Sequence, residues 1–210
     1  MKKSKKKRVG KKSINKQYTF NLKNQYKESF DFIRESRKFI YIIIAIFLLF
    51  TILGFVFPVP GVILKVILEF IENLIKETNG LSGFEMIKFI FFNNIQSSFF
   101  GMILGIFLGF LPVLFAAVNG YVLGFVLSMS VMSEGISVLW RLLPHGIFEL
   151  PAIFISLGLG LRLGMFIFQK KVEKSLKEYL WGSIKVFLLI VLPLLIIAAI
   201  VEGSLIVIFG

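Results

Sequence analysis

Residues 89–133 read FIFFNNIQSSFFGMILGIFLGFLPVLFAAVNGYVLGFVLSMSVMS, a run of 45 residues without a charged side chain. A single helix of that length would extend about 67 Å, roughly twice the hydrocarbon thickness of a bilayer. The run must therefore fold back, and Gly109-Phe110-Leu111-Pro112 is the sequence best suited to the turn. We predict two membrane spans, over residues 89–109 and 113–132. In the alternative, the chain turns at Asn119-Gly120 as a re-entrant loop that is buried in protein.

The composition of the whole chain also indicates a membrane protein. Of its 210 residues, 57% are hydrophobic and only 17% are charged, whereas soluble domains are about half apolar and about a quarter charged. Three further spans are predicted over residues 39–57, 147–168 and 186–208, with Pro151 in a first helical turn and a kink at Pro193. The predicted fold is all-α: a polytopic membrane bundle of about five transmembrane helices.

The segment over residues 61–78 differs from these spans because it alternates apolar and charged side chains. Ile63, Ile67, Phe70 and Leu74 recur every three or four positions, as on one helix face, and charged residues occupy most of the opposite face. This pattern predicts an amphipathic helix that lies in the membrane interface rather than across the bilayer.

Basic residues are distributed very unevenly. The formal net charge is +12, and 14 of the 24 Lys and Arg residues lie within residues 1–38. We interpret residues 1–38 as a basic cytoplasmic tail with a short amphipathic helix over 17–38, residues 39–210 as the transmembrane domain, and residues 169–185 as a second basic loop. Because basic segments stay in the cytoplasm, this predicts a cytoplasmic N-terminus and a C-terminus outside. The tail is expected to contact anionic lipid headgroups, and nucleic acid is not an expected partner.

Three predicted spans each carry small residues at four-residue intervals, which keeps those residues near one helix face. Small residues let helix backbones approach closely in lipid. The stripes indicate tight packing within one chain, although one of them could instead serve a homo-oligomer. Their glycines are Gly101, Gly105, Gly109, Gly120, Gly124, Gly160 and Gly164.

A few polar residues lie in or near the apolar spans, where they are costly and therefore face partners or water. Three interpretations compete: a buried network that fixes helix register, a binding or permeation site for a headgroup, ion or small solute, and catalysis by His145 and Glu149. Arg162 lies about 20 Å from Glu149 along a helix, too far for a direct ion pair. The candidate polar cluster comprises Asn94, Asn119, His145, Glu149, Arg162 and Glu202.

Motifs for common enzyme chemistry are missing from the sequence. It contains no cysteine and a single histidine, so neither a thiolate site nor an HExxH zinc site can form, and neither GxSxG nor a Walker A loop occurs. We expect no catalytic residue, no metal, no cofactor and no enzymatic activity.

In their order and spacing, these motifs resemble the stage II sporulation protein M family of integral membrane proteins. The resemblance runs from about Asn94 to Glu202, and its most specific part is the segment His145-Gly146-Ile147-Phe148-Glu149-Leu150-Pro151. It implies a multi-pass protein of the cell membrane that works with cell-envelope proteins. The sequence therefore predicts a non-enzymatic scaffold or accessory subunit of a membrane complex, with other membrane proteins as partners. The alternative is a small transporter or a lipid- or solute-binding protein that uses an outer-facing polar cluster.

Overall fold

The protein folds as a bundle of long helices in a computed structural model. The structure describes residues 21–57 and 61–209, without the side chains of residues 62, 138–145 and 207–209. No strand occurs in this part of the chain. Five helical segments are long and apolar enough to cross a membrane: Leu22–Val56, Gly83–Ile106, Phe110–Glu134, Gly146–Phe168 and Val172–Ile206. The predicted all-α fold with five spans is therefore confirmed. The helices are α1 (Leu22–Val56), α2 (Gly61–Thr78), α3 (Gly83–Ile103), α4 (Phe110–Glu134), α5 (Leu139–Gly164), α6 (Val172–Val186) and α7 (Leu192–Phe209).

Helix α1 corrects the prediction of a separate surface helix over residues 17–38. It begins after the N-cap residue Asn21 and continues for 35 residues, about 52 Å at the usual helical rise. The charged N-terminal part and the apolar span are thus one rigid element, because a change from polar to apolar side chains alters the surroundings of a helix without ending it. Ser29 and Ser36 in the charged part are buried. Residues 1–20 of the predicted tail lie outside the described residues.

Helix α2 occupies the predicted amphipathic segment and packs little against the bundle. Ile67 is buried, whereas Val66 and Ile75 are largely exposed. A turn with Gly80 at φ +81° follows it, and a capping box at Ser82 and Glu85 begins α3. Its position in the membrane interface stays a prediction.

The turn predicted at residues 109–112 is present but lies slightly earlier, at residues 107–109, because residues 110–112 already belong to the first turn of α4. A short 3₁₀ segment, Leu104–Ile106, ends α3, and Gly109 with φ +71° is the N-cap of α4. Helix α4 then continues without a break through Asn119 and Gly120. The structure thus contains the full helical span rather than the re-entrant loop.

Two expectations for the C-terminal half are corrected. Pro151 lies inside α5, not in its first turn, because this helix already begins at Leu139. The basic segment predicted as a loop is helix α6. Within it, Glu173 and Lys177, one helical turn apart, form an ion pair. A π-helical segment, Phe187–Val191, joins α6 to α7 just before Pro193. The wider π turn accommodates the missing proline N–H without ending the helix.

Helix α5 is central in the bundle, with α1 and α4 on one side and α3 and α7 on the other. The small stripes lie at these contacts. A Cβ atom on Gly105 would overlap the Gly160 backbone, and one on Gly120 would overlap the backbone at Phe47 of α1. The stripes of α3, α4 and α5 therefore pack within the chain.

Candidate functional site

Asn94, Glu149 and Glu202 form a polar centre between α3, α5 and α7. The Asn94 side chain lies within hydrogen-bonding reach of the Glu149 carboxylate, and Glu202 lies close enough to interact electrostatically with Glu149. Asn94 is 7% exposed, so its side chain is sheltered from lipid and water. The structure thus brings together three of the six residues in the predicted cluster.

The pairing of Asn94 with Glu149 is part of a regular register between α3 and α5. These helices run parallel, and their facing residues differ by 55 in number: Asn94 faces Glu149, Gly105 faces Gly160, and Gly109 faces Gly164. The glycine contacts hold the two backbones together at one end, and the polar contact joins them at the other. The polar centre is therefore fixed by close packing along the whole helix pair.

Two buried hydroxyl groups lie in the same pair of helices. Ser98 is one turn from Asn94 and Ser156 is two turns from Glu149, with exposures of 1% and 0%. Neither hydroxyl has a hydrogen-bond partner among the described residues. A buried hydroxyl without a partner is costly, so these serines are two further polar groups that the packed faces of α3 and α5 tolerate.

Arg162 lies in a separate polar site at the opposite end of α5. It is 8% exposed, and its guanidinium donates to the Phe32 carbonyl at 3.1 Å, to Ser36 Oγ at 2.8 Å and to Glu35 Oε2 at 2.9 Å. The guanidinium carbon also lies 4.1 Å from the centroid of the Phe32 ring and 4.8 Å from that of Tyr179. Arg162 thereby joins α5 to α1 and α6, and it makes no pair with Glu149, as predicted.

The other two members of the predicted cluster are not brought into either site. Asn119 is exposed and its amide donates to the Phe115 carbonyl one turn earlier in α4, at 2.8 Å. The side chain of His145 lies outside the described residues. No group of three or more His, Cys, Asp and Glu residues within the described ranges is placed to hold a metal ion.

The partners of Arg162 were missed by the sequence reasoning. Glu35 and Ser36 belong to the segment that the sequence analysis placed on the membrane surface, separate from the bundle. A usable signal was present: Ser29, Phe32 and Ser36 recur every three or four residues and would share one face of a helix continuous with the first span.

Residues 43–205 match the family model described as stage II sporulation protein M. The chain belongs to this family. It is also 34% identical to an uncharacterized protein of Methanocaldococcus jannaschii over 140 residues, which cover 64% of the chain and 61% of that protein. No solved structure matches the chain. The protein is thus a multi-pass membrane protein of the stage II sporulation protein M family.

The matched range contains one of the two polar sites completely and the other only in part. Asn94, Glu149 and Glu202 all lie within residues 43–205, as does Arg162. Glu35 and Ser36, which bind the Arg162 side chain, precede the matched range. The N-terminal part of α1 is thus an extension beyond the matched region that packs onto it through Arg162.

Proposed function

We propose that this protein is a non-enzymatic scaffold or accessory subunit of a membrane complex. The observation that carries this proposal is the closed interior of the bundle. Along the α3–α5 and α1–α4 contacts, the glycine backbones approach so closely that even a methyl group would overlap them. A path for a solute through either contact would require these backbones to separate.

A surface for a membrane partner is available on α2. Leu64, Leu68, Ile71 and Ile75 follow one another every three or four residues, and Leu68 and Ile75 are exposed. The adjacent face carries charges, among them Lys76 and Glu72, which form an ion pair at 2.7 Å. An amphipathic helix that packs little against its own bundle can contact a second membrane protein without disturbing the spans.

Site-specific photo-cross-linking in native membranes tests this role. A photoreactive residue at Leu68 should yield one reproducible protein adduct, because the proposal places a partner against this stripe. The matched control is Leu114, an exposed residue of α4, which should give lipid adducts only. Equal products at both positions would contradict a partner surface on α2.

We also propose that the N-terminus lies in the cytoplasm and the C-terminus outside. The two basic stretches, residues 23–38 and 170–185, lie at the same end of the bundle, where Lys185 forms an ion pair with Glu28 at 2.6 Å. That common basic end supports a cytoplasmic location. A topology reporter after Gly210 should be active outside and one near Lys174 inside; reversal of either would refute the orientation.

A second candidate function is binding or transport of a small solute at the polar centre. The buried hydroxyls of Ser98 and Ser156, on the helices that carry Asn94 and Glu149, favour it. Thermal unfolding with a panel of ions and small solutes separates the two functions. A solute that stabilises the wild type but not Glu149→Gln supports binding, since a ligand of the native state raises stability. If the protein is a scaffold, Glu149→Gln should be less stable than the wild type, and no added solute should change that difference.

A further inference from the structure

Two clefts adjoin on the outer face of α3. The first, of about 760 Å³, lies between α2 and α3, and the second, of about 370 Å³, lies between α3 and the junction of α6 with the π-helical segment. Gln96 lines both. They lie one after the other along α3, with Gln96 at their boundary, on the side of this helix opposite the buried Asn94, and we refer to the two together as the groove.

The groove changes from polar to apolar along its length. Glu77, Glu85 and Lys88 line the mouth beside α2, whereas Phe99, Phe187 and Leu188 line the far end. From Lys88 to Phe99 the helix advances 11 residues, about 17 Å. This is about half of a hydrocarbon core of about 30 Å, the depth of one leaflet. A charged mouth and an apolar channel one leaflet deep fit a single phospholipid.

The charges of the mouth select the headgroup. The Lys88 ammonium lies 4.4 Å from the centroid of the Phe84 ring and can contact a phosphate. The Glu85 carboxylate is held by Ser82, whose N–H and hydroxyl donate to it at 2.9 and 2.6 Å, and Glu77 lines the same cleft from α2. One cation beside two carboxylates complements a phosphate that carries an amine and repels a headgroup with net negative charge.

We propose that this groove binds one phospholipid with a zwitterionic, amine-bearing headgroup: the phosphate contacts Lys88, the amine contacts Glu77 and Glu85, and one acyl chain passes Gln96 towards Phe187. The site lies outside the interhelical polar centre. It does not depend on the scaffold role, because it concerns only the surfaces of α2, α3 and the α6–α7 junction.

Native mass spectrometry of the full-length protein tests the site. The protein is extracted from nanodiscs that contain equal amounts of phosphatidylethanolamine and phosphatidylglycerol with identical acyl chains. We expect one retained phospholipid per chain, with phosphatidylethanolamine favoured about fivefold, as for one exposed ion pair. Equal retention of the two lipids, or retention of neither, would overturn the proposal.

Variants distinguish the headgroup site from the channel. Glu77→Gln should abolish the preference between the two lipids, and Lys88→Gln should reduce retention of both. Lys76→Gln is the matched control, because Lys76 lies on the same face as its partner Glu72 and does not line the groove. An equal effect of Lys76→Gln would show that general surface charge, not the groove, sets the preference.

Gln96→Trp should block the acyl channel and reduce retention of either lipid at least fivefold. Leu114→Trp, on the exposed surface of α4, should have no effect. Unfolding temperatures in lipid-free detergent identify any variant that is misfolded; Gln96 and Glu77 are both exposed, so their substitution should leave this temperature unchanged. Undiminished retention in a folded Gln96→Trp protein, or cross-linking of a protein rather than a lipid at position 96, would refute the assignment.

Discussion

Replacing Gly105 by alanine should separate the parallel helices α3 and α5. A Cβ atom on Gly105 would lie 2.6 Å from the Gly160 Cα atom, whereas ordinary van der Waals contacts begin at 3.4 Å. The obstacle is backbone, and the Gly160 carbonyl carbon and oxygen are closer still, so the helices must move apart by at least about 0.8 Å, the difference between these two distances. A gap of that size removes about a quarter to a half of the local contact energy. We therefore expect the free energy of unfolding to fall by about 2 kcal/mol, within the usual range for overpacked sites.

The assay is reversible unfolding in mixed micelles, titrated with a denaturing detergent and followed by circular dichroism. Gly146→Ala in α5 is the matched control, because its Cβ would lie 3.5 Å from a Leu150 methyl, an ordinary contact. Gly101→Ala should fall between the two, since its Cβ would meet only the flexible end of Leu157. If Gly105→Ala were as stable as Gly146→Ala, the close backbone contact between α3 and α5 would be refuted.

Three further predictions address the polar sites and the turn. Arg162→Gln should lower the free energy of unfolding by about 2–4 kcal/mol, because buried hydrogen bonds and ring contacts are lost. Glu35→Gln should lower it by less than about 1 kcal/mol, since the Glu35 side chain is 64% exposed. Equal losses for the two variants in detergent-titrated unfolding would contradict the role of Arg162 in joining α5 to α1. In a double-mutant cycle, Asn94→Ala and Glu149→Ala should show a coupling of about 1 kcal/mol, and additive effects would argue against a direct interaction between these two side chains. Leu108→Gly should raise the unfolding temperature or leave it unchanged, because Leu108 has φ +59° and glycine adopts this conformation without strain. A marked fall in the unfolding temperature would argue against backbone strain at Leu108.

The number of spans and the turn between α3 and α4 could be predicted from the sequence. A run of residues without charge must stay within the bilayer, so its length alone forces a turn near Gly109. The ends of the long helices do not follow in this way. Charged residues in α1 and α6 show where the chain leaves the hydrocarbon, but a helix continues into water when its neighbours, here Ser36 with Arg162, stabilise it.

The candidate site was predicted only in part for a related reason. Small residues at four-residue spacing identify the face that each helix buries, but not the helix against which it packs. The stripe of α4 packs on α1, and those of α3 and α5 pack on each other. The pairing of Asn94 with Glu149 depends on which helices are neighbours. The sequence could therefore identify both residues as polar residues within the spans, but it could not predict that they pair. Asn119 illustrates the limit, since its side chain faces away from the bundle.

The 55-residue register between α3 and α5 also sets a schedule for biosynthesis. During translation at about 5–20 residues per second, Asn94 is made about 3–11 seconds before Glu149. During that interval α3 has neither its polar partner nor the glycine face of α5, while α4, which runs in the opposite direction, has already been made. Asn94 therefore meets its partner only after α4 has been made, and α3 packs on helices that are synthesised later than the helix that follows it directly.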